Sequence, residues 1–151
     1  EFDDMRAALE QGATLADVFG ISREAMESGY AYAYNLYKAG NYKDAENMFR
    51  GLCMYDGNDP RFWMGLGGSR QANGKYREAV DAYGLCSAME ALSSPVPVLQ
   101  AGMCYLKMGD REKAKGSFVT AVSMGEEGNP EHEAARGKAS AMLAILEQAE
   151  K

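Results

Sequence analysis

The chain has 151 residues, of which 46% are hydrophobic and 25% are charged, a balance typical of a globular domain with a sizeable core. Its net charge of -6 at pH 7 opposes phosphate backbones and anionic lipid surfaces, so direct nucleic-acid and membrane partners are disfavoured. No stretch approaches the roughly 18 apolar residues that a membrane span needs, and the N-terminus lacks a basic-then-apolar secretory layout. The cysteines lie far apart within apolar helical patterns, which predicts free, buried thiols in a reducing cytoplasm: Cys53, Cys86 and Cys104.

The N-terminal segment, residues 1–21, is predicted to contain a helix over about 3–11 that ends at Gly12. Thr14 can then cap a short turn. The apolar side chains of this segment are Met5, Leu9, Leu15, Val18 and Phe19. We expect the segment to be either a cap on the fold or a surface for self-association.

Residues 22–128 contain a repeat whose three copies are 34 and 35 residues apart. The recurring residues are glycines, alanines and aromatics in one phase: Gly40, Gly74 and Gly109; Ala45, Ala79 and Ala114; Phe49, Tyr83 and Phe118. The second copy also has Trp63, Leu66 and Gly67 in the spacing W-x2-L-G. A period of about 34 residues with these features is that of the tetratricopeptide repeat, a pair of antiparallel helices. The sequence therefore predicts an all-α fold, in which three tandem tetratricopeptide repeats form a right-handed superhelix with N- and C-terminal flanking helices.

The helix boundaries follow from glycine, proline and capping residues. The first helix of each repeat is predicted over about 23–39, 60–73 and 96–108, and the second over about 42–55, 75–90 and 110–124. The three recurring glycines are expected to end the first helices in a left-handed conformation. Asn41 and Asp110 can cap the helices that follow, whereas Lys75 cannot.

Residues 129–151 are predicted to form a capping helix that begins after Asn129-Pro130 and covers about 130–149. Its apolar positions form one stripe: Ala134, Ala135, Ala139, Met142, Leu143 and Leu146. Such a helix is needed because the last repeat of an array otherwise exposes an apolar face.

The first helices of stacked repeats line a concave surface, which predicts a groove. Its expected wall in the first repeat is Glu27, Tyr30, Tyr34 and Tyr37, in the second Arg61, Met64, Gly68 and Gln71, and in the third Val96, Leu99, Met103 and Leu106. The three tyrosines share a helix face that is separate from Ala33 and Leu36, which must pack inside the repeat. Because this helix is apolar on two sides, we expect its second side to bind another molecule.

Gly65, Gly67 and Gly68 cluster in one predicted helix, where each glycine costs roughly 1 kcal/mol relative to alanine. Gly67 has a packing reason in the repeat motif, and Gly68 is placed to make room for a ligand backbone. For Gly65 the sequence gives no reason.

Residue patterns for catalysis are missing from the sequence. The single histidine, His132, is predicted to be exposed and has no neighbour at metal-ligand spacing, and no phosphate-binding glycine loop or nucleophile motif is present. We therefore expect no enzyme activity, no cofactor and no metal. The groove also lacks the lysines and asparagines with which other tetratricopeptide domains clamp a carboxylate, which favours an extended apolar peptide as ligand.

Several further runs of residues are distinctive: Gly12-Ala13-Thr14-Leu15-Ala16-Asp17, Gly20-Ile21, Tyr30 to Tyr37, Asp44-Ala45-Glu46, Phe49 to Asp56, and Met64-Gly65-Leu66-Gly67. Together they resemble the class II chaperones of bacterial type III secretion. The resemblance extends from about residue 5 to residue 146 and is looser in the third repeat and the C-terminal helix.

This resemblance implies a function in the bacterial cytoplasm. Members of that family bind hydrophobic translocator proteins through an extended segment with Pro- and Leu-type anchors and prevent their aggregation before export. It implies pocket roles for Tyr30, Tyr34 and Tyr37, weaker ones for Met64, Leu99 and Leu106, and a homodimer through the N-terminal helix. The alternative from the residues alone is a generic tetratricopeptide adaptor or scaffold between proteins.

Overall fold

The structure is a computed structural model that describes residues 1–151 and contains nine α-helices. They are α1 (Phe2–Glu10), α2 (Leu15–Val18), α3 (Arg23–Lys38), α4 (Tyr42–Tyr55), α5 (Pro60–Ala72), α6 (Tyr76–Met89), α7 (Pro95–Lys107), α8 (Arg111–Val122) and α9 (Pro130–Ala149). The pairs α3 with α4, α5 with α6 and α7 with α8 pack as hairpins, and each pair also packs against the next. The predicted all-α repeat fold is confirmed, with helix ends within about two residues of those predicted.

The turn inside each hairpin is made by the recurring glycine. Gly40, Gly74 and Gly109 have φ values of 81°, 76° and 78°, which are disfavoured for residues with a β-carbon. Asp110 caps α8 by accepting from the Lys113 N–H at 3.0 Å, as predicted. The prediction that Asn41 caps α4 is wrong, because its side chain makes no such bond. The glycine turn sets the start of α4 without a side-chain cap, as it does for α6.

Helices approach closely where glycine faces an aromatic ring. A β-carbon on Gly67 would lie 2.6 Å from the Tyr83 ring, and one on Gly102 would lie 2.6 Å from the Phe118 ring. A β-carbon on Gly65 would lie 2.2 Å from the Phe49 ring. Gly65 is therefore required so that α4, through Phe49, can pack against α5.

The core is divided along the stack. One cluster joins the first two repeats around Phe49, Phe62 and Leu66, and another joins α7, α8 and α9 around Phe118. In α9, the predicted stripe packs as expected except for Ala134, which is exposed.

The cysteines are free and buried as predicted, and burial raises the pKa of Cys53 and Cys86 to about 12, so these thiols stay protonated.

Glu46 connects the first repeat to the second. It is 4% exposed and accepts hydrogen bonds from Lys75 Nζ and Asn73 Nδ2, each at 2.9 Å. Burial disfavours the ionised form of Glu46, but these hydrogen bonds favour it more strongly and hold the pKa of Glu46 below its ordinary value.

Replacing Glu46 with glutamine is expected to lower the free energy of unfolding by about 1 kcal/mol at neutral pH, because the charge-assisted bonds are lost. A carboxyl with a lowered folded-state pKa stabilises the fold above its unfolded-state pKa, and this contribution disappears as the pH falls through the folded-state value. Urea unfolding at several pH values should therefore show the Glu46→Gln difference shrinking in acid. A difference that is independent of pH would contradict this assignment.

Candidate functional site

A cavity of about 650 Å³ lies along the first helices of repeats one and two. We call this cavity the groove. The structure places most of the sequence-predicted wall on its lining: Tyr30, Tyr34, Tyr37, Arg61, Met64, Gly68 and Gln71. These side chains come from α3 and α5, whose repeat positions correspond, which is why they face the same space.

The third repeat contributes differently from the prediction. Leu99 is 4% exposed and belongs to the cluster that α9 completes, and Met103 and Leu106 pack against that cluster. None of these three lines the groove. The predicted placement of Leu99, Met103 and Leu106 on the groove wall is therefore corrected, because α9 packs against α7 as well as α8 and these residues join the resulting core.

Tyr30, Tyr34 and Tyr37 form what we call the aromatic wall of the groove, which runs from the core to the solvent. The Tyr30 ring lies 6.1 Å from Phe49 and 5.9 Å from Phe62, and it stacks on Tyr34 at 6.2 Å. Tyr30 is half-buried, and this burial raises its pKa. Tyr34, in contrast, is 48% exposed. Tyr34 thus presents a large apolar surface that the fold itself does not cover, supported from behind by Tyr30.

Tyr37 and Gly68 form the neighbouring part of the groove. The Tyr37 ring packs edge-on against Tyr42 at 5.2 Å, and burial raises its pKa. A β-carbon on Gly68 would lie 3.5 Å from the Tyr37 ring, an ordinary van der Waals distance. Packing therefore does not require glycine at 68, and its missing side chain widens the groove.

Gln71 is held at the groove floor by a buried phenol. Tyr83 Oη donates to Gln71 Oε1 at 2.6 Å, and burial raises the pKa of Tyr83, so this donor stays protonated. The Gln71 Nε2 atom makes no hydrogen bond with the protein. An oriented amide with free N–H donors therefore lies next to the aromatic wall.

Arg61 closes the polar end beside Tyr30. Its guanidinium lies 4.6 Å above the Tyr30 ring and donates to Asp59 at 2.7 Å and to Glu27 at 3.1 Å. The hydrogen bonds that Arg61 donates to Asp59 and to Glu27 raise the pKa of its guanidinium group. Because two carboxylates already neutralise this charge, Arg61 is not a free clamp for an acidic ligand.

The opposite end of the groove is acidic and was not predicted. Glu90, which follows α6, and Glu131, in the first turn of α9, line the groove together with Gln100. Glu90 and Glu131 are far apart in sequence and belong to different elements, so no local pattern could have brought them together. Phe49 and Tyr83 also line the groove, although the repeat motif identified them only as packing residues.

Comparison with known proteins agrees with this geometry. Profiles of the tetratricopeptide repeat family match residues 26–59, 60–91 and 98–131. Chaperone protein SicA of Salmonella typhimurium strain LT2 is 36% identical over 144 residues, which is 95% of this chain and 83% of SicA.

Two solved structures are similar over most of the chain. PcrH of Pseudomonas aeruginosa in complex with the chaperone binding region of PopD has a TM-score of 0.81 at 34% identity, covering 87% of this chain and 98% of PcrH. The Yersinia enterocolitica type III secretion chaperone SycD in complex with a peptide of the translocator YopD has a TM-score of 0.80 at 31% identity, covering 87% and 98%. The chain belongs to the type III secretion translocator chaperones.

The N-terminal segment of this translocator chaperone is only loosely attached. Thr14 and Asp17 form a reciprocal capping box at 2.9 and 3.1 Å, so the predicted cap is confirmed. No residue of α1 is buried, and its main neighbour is α2. Of the apolar residues singled out in the sequence, Met5, Leu15 and Val18 are half-buried, whereas Leu9 and Phe19 are exposed. Phe19 packs edge-on against Tyr55 at 6.3 Å.

His132 has a structural position in the chaperone. It is half-buried rather than exposed, so that sequence interpretation is wrong, and its Nδ1 atom accepts from the Glu126 N–H at 3.0 Å. This bond holds the loop before α9.

No group of three His, Cys, Asp or Glu side chains is arranged to bind a metal ion. None of the helices has both the length and the hydropathy of a membrane span.

Proposed function

We propose that this chaperone binds an extended, apolar segment of a type III translocator in the groove and keeps it from aggregating before export. The observation that supports this most directly is the aromatic wall of Tyr30, Tyr34 and Tyr37 along a cavity of about 650 Å³. The related chaperones PcrH and SycD form complexes with a region of PopD and a peptide of YopD, respectively. The proposed setting is the bacterial cytoplasm.

The groove suits an extended segment for a physical reason. A translocator must enter a membrane, so its apolar segments aggregate in water unless they are covered. Each Leu-type anchor buried against the aromatic wall contributes roughly 1.5–3 kcal/mol. Ordering the segment offsets part of this gain, which gives an affinity moderate enough for release.

Gln71 adds a directional contact in this proposal. Its Oε1 atom is occupied by Tyr83, so the amide presents Nε2 to the groove. We expect Nε2 to donate to a backbone carbonyl of the bound segment, which would fix its position without reading its sequence. The chaperone acts by covering and releasing its ligand, and no bond of the ligand is made or broken.

The N-terminal segment is the proposed contact between two copies of the chain. Leu9 is 40% exposed and Phe19 is 59% exposed, and Met5, Leu15 and Val18 belong to the same segment. SycD has been solved in an alternative dimer. Pairing of two such segments would cover apolar side chains that the single chain leaves in water.

Peptide binding tests the proposed function. Fluorescently labelled peptides that tile the apolar segments of a candidate type III translocator should bind with a rise in anisotropy. The same unlabelled peptide should displace the full-length translocator. If no peptide binds or competes while the folded, full-length protein does, the chain is an adaptor that recognises a folded surface instead.

A further inference from the structure

A second cavity of about 270 Å³ lies beside the acidic end of the groove. Met64, Glu90 and Glu131 line both cavities, so the two spaces share a wall. The remaining walls come from Ser93 and Ser94 before α7, from Val96 and Pro97 in its first turn, and from His132 in the first turn of α9. A side chain of a segment lying in the groove could therefore reach this space.

Glu90, which is half-buried, lacks a partner within the chain, and Glu131, which lines the same cavity, is exposed. The Glu90 Oε2 atom is buried and has no hydrogen-bond partner, the only buried side-chain oxygen or nitrogen in that condition. Neither Glu90 nor Glu131 takes part in an ion pair, whereas Glu27 and Asp59 at the opposite end share Arg61. A buried acceptor without a donor is destabilising, and native proteins rarely retain one without a reason.

The neighbouring charges do not neutralise the pair. Burial raises the pKa of Glu90, the nearby charge of Glu131 raises it further, and His132 acts in the opposite direction. His132 uses Nδ1 to accept from Glu126, and Arg136 donates to the Met124 carbonyl oxygen at 2.9 Å. His132 Nδ1 and Arg136 are thus both engaged by the loop before α9.

We propose that Glu90 and Glu131 form a subsite for a basic side chain, lysine or arginine, of the segment bound in the groove. This inference rests on the proposed function. An ammonium or guanidinium group would donate to the unpartnered Oε2 atom and separate the two like charges. Its aliphatic stem would lie along Met64 and Val96, as long basic side chains do on apolar surfaces. The chaperone would then recognise a basic residue at one fixed distance from the apolar anchors.

A lysine scan with synthetic peptides tests this subsite. One apolar peptide that binds the groove is prepared with lysine at each position in turn, and in a matched set with glutamine. Lysine should bind roughly tenfold more tightly than glutamine at one position, and this preference should decrease as salt is added. Glu90→Gln and Glu131→Gln, alone and combined, should remove the preference.

Glu127→Gln is the matched control, because it removes the same charge from an exposed position that lines neither cavity. It should leave the lysine preference intact, and far-UV circular dichroism should show that every variant is folded. Equal binding of lysine and glutamine peptides at all positions would overturn the subsite and leave the groove function standing. A preference that survives in the combined variant would also overturn it. If no peptide binds at all, the proposed function itself fails.

Discussion

Replacing Tyr34 with glutamate is expected to weaken binding of an apolar translocator peptide by roughly 30-fold or more, which corresponds to about 2 kcal/mol. Tyr34 is 48% exposed in the free chain and lies on the groove wall, stacked on Tyr30. Binding would cover its ring, whereas a carboxylate at this position offers no apolar surface and would lose water, a cost that Lys38, which lies over the Tyr34 ring, would offset only in part. The free chain should keep most of its stability, because the fold leaves about half of this side chain exposed.

Tyr32 provides the control for this change. It lies on the same helix and is 57% exposed, but it does not line the groove. Tyr32→Glu makes the same chemical change on another face of α3, so peptide affinity should stay at the level of the unmodified chain. Isothermal titration calorimetry of both variants with one peptide measures the contrast. Equal losses in the two variants would mean that charge or helix stability, rather than the groove, controls binding.

Tyr37 is a poorer choice for the same test. Its ring is half-buried against Tyr42, and burial raises its pKa. A glutamate there would enter the fold as well as the groove, so a loss of binding could follow from unfolding. The sequence alone gave the three tyrosines equal weight, because helical spacing identifies a shared face but not the depth of each side chain.

The repeat register explains why most of the fold was predictable. Gly40, Gly74 and Gly109 mark the same turn in each copy, and their positive φ values follow from that turn. The same register identified Tyr30, Tyr34 and Tyr37 as concave, because a position in one repeat has the same surroundings in the next. Local chemistry and periodicity were therefore sufficient for the helices and for half of the groove.

The features that were not predictable depend on contacts between distant elements. Leu99 occupies a concave position in its repeat, but α9 packs against α7 and includes it in the core. Glu90 and Glu131 line the same cavity only because the C-terminal end of α6 lies near the N-terminal end of α9. Periodicity describes a repeat with identical neighbours, and the last repeat has a capping helix as its neighbour instead.

Gly65 shows how one such contact controls both stability and the groove. We expect Gly65→Ala to lower the free energy of unfolding by roughly 2 kcal/mol, measured by urea denaturation. Alanine gains roughly 1 kcal/mol in helix propensity, but its β-carbon would meet the Phe49 ring at 2.2 Å, where no side chain fits. Phe49 is 1% exposed and packs against Tyr30, so it cannot move away without displacing the aromatic wall.

Gly84→Ala should have the opposite sign and separates the two effects. Gly84 lies inside α6, in the same repeat, and a β-carbon there would meet no atom within 4 Å. Only the helix propensity changes, so this variant should be more stable by about 0.5–1 kcal/mol. Destabilisation in both variants would show that the backbone of these helices, rather than the Phe49 contact, requires glycine.

Because Phe49 supports Tyr30, Gly65→Ala should also weaken peptide binding under conditions where the chain is still folded, whereas Gly84→Ala should leave the affinity unchanged.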